Sequence, residues 1–80
     1  MEFAVYGMNV KGEVATIATY ESEEKAMRGL DLYRNCGHGV LVFHHRAQWF
    51  WIAEHGEGAI DMPAALEELR ESLENANEYR

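Results

Sequence analysis

The sequence predicts an α+β fold: a two-layer ββαββα domain in which a four-stranded antiparallel sheet carries two helices on one face. Three observations lead there. Short runs rich in β-branched and aromatic residues come in two pairs, at 2–20 and at 40–55. Each pair is followed by a segment whose apolar residues recur at helical spacing behind a capping residue. Finally, 80 residues, 48% of them apolar, suffice for one core but not two, so residues 1–80 form a single small domain.

Residues 2–10 (Glu-Phe-Ala-Val-Tyr-Gly-Met-Asn-Val) alternate as a strand does. Asn9-Val10-Lys11-Gly12 supplies the turn residues, and the β-branched run 13–20 returns as the second strand of a hairpin. Ser22 is a good N-cap, and Glu23 and Glu24 place negative charge in the first turn, where the helix dipole favours it. The helix reaches about Asn35, with Ala26, Met27, Leu30 and Tyr33 as its inward stripe. Gly29 lies beside that stripe and costs about 1 kcal/mol against Ala, a cost consistent with close packing on the sheet. Cys36-Gly37-His38-Gly39 ends the helix, with Gly37 as its left-handed cap.

Residues 40–46 are expected to form a third strand and 49–55 a fourth, joined by Arg46-Ala47-Gln48. Gly56-Glu57-Gly58 closes that hairpin. Asp61 is expected to cap a second helix, with Pro63 in its first turn, where a missing N–H costs little. That helix runs to about Glu78, with Leu66, Leu69, Leu73 and Ala76 as its apolar stripe and Met62 and Ala65 at its start.

Composition excludes several function classes. Fourteen acidic and seven basic residues give a formal charge of −7. Direct binding to DNA, RNA or anionic lipid rewards basic patches, so these ligands are not expected; a basic partner suits such a surface better. No apolar run approaches the roughly 20 residues that span a bilayer. Met1-Glu2-Phe3-Ala4 lacks the basic and apolar regions of an export signal. The single cysteine, Cys36, cannot form an internal disulfide. A reducing cytoplasm is the expected compartment.

The charge is unevenly placed. Residues 1–53 hold six acids and five bases, a balance of −1, whereas residues 54–80 hold eight acids and two bases, a balance of −6. Within the second helix Glu67, Glu71, Glu74 and Glu78 are spaced 4, 3 and 4. At about 100° per residue they fall in an arc of roughly 60° opposite the leucines, over a span of about 16 Å. Their mean separation is comparable with that of neighbouring phosphates on one nucleic-acid strand. Like charges at i,i+4 cost roughly 0.2–0.5 kcal/mol per pair, and Glu74 and Glu78 sit at the end where the dipole favours cations. The row is therefore either a solvated outer face or an acidic ridge, helped by Glu57 and Asp61, that docks in a basic groove built for nucleic acid.

A tiny acidic α+β chain of this order, with the stripe Glu67-Glu71-Glu74-Glu78 and no catalytic motif, resembles the phage-encoded anti-CRISPR proteins. The resemblance is to a class without a shared motif, so it carries no residue roles. It implies a non-catalytic inhibitor in the host bacterial cytoplasm that occupies the nucleic-acid groove of a defence complex such as a CRISPR effector.

The run Trp49-Phe50-Trp51-Ile52 is apolar on both faces of a strand. With two helices on one face of the sheet, the opposite face would show an aromatic cluster such as Trp49 and Trp51 with Tyr6, a second candidate partner surface for a regulatory module or a homodimer. The other reading places these aromatics in the core, which a small domain needs.

No catalytic, cofactor-binding or metal-ligating set is expected. Cys36 and His38, the adjacent His44 and His45, and His55 lack the spacing of a zinc site, and adjacent strand residues point to opposite faces. Cys36 sits at a helix C-terminus rather than the N-terminus that activates a thiol. Gly37-His38-Gly39 and Gly56-Glu57-Gly58 lack the lysine and following helix of a phosphate loop.

Overall fold

A computed structural model describes residues 2–35, 46–56 and 58–78, with side chains as far as Ala76. The elements are β1 (Glu2–Met8), β2 (Val14–Tyr20), α1 (Glu23–Asn35), β3 (Trp49–His55) and α2 (Ala64–Glu78). Among the described residues the sheet has three strands in the order β2-β1-β3, both pairings antiparallel. The α+β class holds. The expected strand at 40–46 lies outside the described residues except for Arg46, which is in no strand and has φ 55°.

The β1–β2 turn is built around Asn9. Its Oδ1 accepts from the backbone N–H groups of Lys11 and Glu13, both at 3.0 Å, and its Nδ2 donates to Glu13 Oε1 at 3.1 Å. Its own N–H donates to the Glu13 carbonyl, and its carbonyl accepts from Gly12 N–H. Gly12 has φ 82°, which a glycine adopts without strain. The strand therefore ends at Met8, before the expected Val10, because Asn9 turns its hydrogen bonds to the loop.

A bulge in β2 sets its faces. Val5 pairs with Ala18 and Tyr6 with Thr16, so Ile17 is the extra residue. Ile17 joins Val5, Leu30, Ala47 and Phe50 in one buried cluster, against which Ala15, Tyr20, Tyr33 and Ile52 pack. The second cluster, on the other face, is Ala4, Tyr6, Met8, Trp51 and Ala53, covered by Met62, Leu66, Leu69 and Leu73.

The two helices therefore lie on opposite faces of the sheet, which corrects the expected two-layer arrangement. The reason is the strands' own composition. β1 carries Val5 on one side and Ala4, Tyr6 and Met8 on the other, all buried, and β3 carries Phe50 and Ile52 opposite Trp49 and Trp51. A strand apolar on both sides has to be covered on both. α1 takes one face and α2 the other, giving an α/sheet/α sandwich.

Each helix follows local signals, with three departures. Ser22 Oγ accepts from Lys25 N–H, the expected N-cap. Ala26, Gly29 and Leu30 are buried, but Met27 is 53% exposed and leaves the stripe. Gly29 packs so tightly that a Cβ there would overlap the Tyr20 phenol. Helix α2 starts later than expected: the Pro63 carbonyl accepts from Leu66 and Glu67 N–H groups, so Pro63 is the cap residue and Asp61 lies upstream. Ala65 and Ala76 are exposed, leaving three half-buried leucines and Met62 to hold α2. Among the described residues no helix is long and apolar enough to cross a membrane.

Candidate docking surface

Among the described residues α2 is the helix that covers the Ala4, Tyr6, Met8, Trp51 and Ala53 face of the sheet. Leu66, Leu69 and Leu73 point at Tyr6, Met8 and Trp51. The helical repeat then turns Glu67, Glu68, Glu71 and Glu74 outward, and all four are exposed. Glu67, Arg70, Glu71 and Glu74 line a shallow surface groove of about 280 Å³.

Arg70 is the cation of this surface. Its Nε donates to Glu74 Oε1 at 3.2 Å, and its Nη1 lies 3.6 Å from the Met62 sulfur. The β1–β2 turn leans on the same two residues: a Cβ on Gly12 would lie 3.4 Å from Glu74 Cγ and 3.5 Å from Arg70 Cγ. Glu74 is thus half neutralised and packed. Among the described residues Glu67, Glu68 and Glu71 take part in no ion pair, and the last turn of α2 has no basic residue. On α1, by contrast, three acids are matched by three bases, with ion pairs from Lys25 to Glu21, just before the helix, at 3.2 Å and from Arg28 to Glu24 at 2.9 Å. The two outer layers therefore differ: one is balanced, the other acidic.

The remaining predicted acids divide. Asp61 is exposed and precedes α2; its backbone carbonyl accepts the Trp51 indole N–H at 2.9 Å. Glu57 and the Glu78 side chain lie outside the described residues. Glu68, which spacing alone left out of the row, is exposed on the same helix one residue from Glu67; its position beside the row was the available signal.

The aromatic surface is corrected by the fold. Tyr6 and Trp51 are 2% and 4% exposed in the cluster that α2 covers, and Trp49 is half-buried against that cluster. Tyr6 and Trp51 stack with ring centroids 5.8 Å apart, and the Tyr6 hydroxyl lies 3.1 Å from His55 Nδ1. Burial raises the Tyr6 phenol above its ordinary pKa. Burial also raises Tyr20, with a smaller contribution from the neighbouring Tyr33. Among the described side chains no buried polar atom lacks a hydrogen-bond partner.

Arg34 carries no signal in the sequence pattern. Its Nη2 donates to the Phe50 carbonyl at 3.1 Å, tying the end of α1 to β3. Only tertiary contact reveals that role. Tyr33, Arg34, Trp49 and Pro63 are among the residues lining a cleft of about 470 Å³ beside it. Cys36, His38, His44 and His45 lie outside the described residues. Among the described residues no three His, Cys, Asp or Glu side chains are grouped to hold a metal ion.

The geometry defines an acidic, outward-facing helix on a small sandwich. Comparison with family models, curated proteins and solved structures finds no match for this chain.

Proposed function

We propose that this chain is a binding protein that docks the acidic face of α2 against a basic, nucleic-acid-binding groove on another protein. The CRISPR effector, the target class implied by the anti-CRISPR resemblance, is the partner we propose. Inhibition follows from occupancy of the groove and requires no chemistry of its own. The observation that carries this reading is the separation of α2 from α1 by the sheet. It leaves Glu67, Glu68 and Glu71 exposed and, among the described residues, without ion pairs, on the face opposite α1. Unneutralised acids on one face create the field that steers and orients a basic partner. The alternative surface at Trp49, Trp51 and Tyr6 is not favoured, because Tyr6 and Trp51 are buried in the cluster that α2 covers.

The test is a pull-down from bacterial lysate with wild type and a variant carrying Glu67→Gln, Glu71→Gln, Glu74→Gln and Glu78→Gln. A nucleic-acid-binding complex retained by wild type alone is the expected result. The same complex retained equally by both proteins sinks the proposal.

A further inference from the structure

We draw no further inference here: the strongest candidate, the cleft at the outer edge of β3 between Tyr33, Arg34, Trp49, Phe50, Pro63 and Leu66, carries none, because it adjoins the chain on either side of residues 36–45 and nothing in the structure shows what covers it.

Discussion

Replacing Glu71 with glutamine shows whether the acidic row supports the fold or costs it stability, because the two predict opposite changes. Glu71 has Glu67 four residues before it and Glu68 and Glu74 three residues away. Each like-charge neighbour at such spacing destabilises a helix by roughly 0.2–0.5 kcal/mol. Glu71 has no ion pair among the described residues to set against that. Glu71→Gln should therefore stabilise the domain by about 0.5–1.5 kcal/mol at low salt. For a domain of this size each 1 kcal/mol moves Tm by roughly 4–8 °C, so the rise is on the order of 2–12 °C. Salt screens the same repulsion, and the gain should shrink as salt is added. Glu74→Gln is the internal control. It relieves similar repulsion but loses the Arg70 pair at 3.2 Å, so its Tm should stay close to wild type. Thermal melts followed by circular dichroism at low and high salt measure all of this. A Glu71→Gln variant that melts below wild type at low salt refutes the claim that the row is costly to the fold.

Three further outcomes follow from the structure. Asn9→Ala removes the acceptor of two backbone N–H groups at 3.0 Å in a residue only 8% exposed; the loss should be about 1–3 kcal/mol by urea unfolding, and a change below 0.5 kcal/mol would show that water replaces Asn9. Gly7→Ala places a Cβ 2.7 Å from Ala47 Cβ and 3.1 Å from Ile17 Cδ1, so denaturant titration should show a loss of about 1–3 kcal/mol through overpacking, and an unchanged midpoint would mean Ala47 is not seated there. The phenols of Tyr6 and Tyr20 titrate above their ordinary 10.0 in the folded state. Their stabilising contribution is therefore intact below pH 10 and is lost as pH rises through the folded-state values; urea midpoints should fall above pH 10, and less steeply in Tyr6→Phe.

The strands and helices were legible where the signal was local. Asn9 and Gly12 marked the first turn, Ser22 marked the start of α1, and the run Trp49–His55 marked β3 with its observed boundaries. The layer arrangement departs from the expected one although its cue is in the sequence. Consecutive Trp49-Phe50-Trp51-Ile52, like Val5 between Ala4 and Tyr6, is the composition of a strand covered on both faces. Periodicity states which side of a helix is apolar, not which face of a sheet receives it. The β2 bulge, the Arg34 contact with β3 and the Pro63 cap depend on tertiary geometry that no short pattern encodes. Met27 shows the same limit from the other side: it stands at core spacing, yet the buried stripe of α1 runs through Ala26, Gly29 and Leu30 and Met27 is exposed. Glu67, Glu71 and Glu74 were legible as a row, whereas Glu68 and the placement of this face opposite α1 came only with the fold.

The central claim concerns the acidic face of α2, and salt tests it most directly. The measurement is the affinity of wild type for the complex captured from lysate, titrated across salt concentration beside the four-glutamine variant. Docking through this face predicts wild-type affinity that falls steeply as salt rises, since screening acts within about 8–10 Å near physiological ionic strength, and a variant that binds weakly at every salt concentration. Wild-type affinity independent of salt, or a variant that matches it throughout, contradicts the claim and leaves the glutamates as a solvated surface.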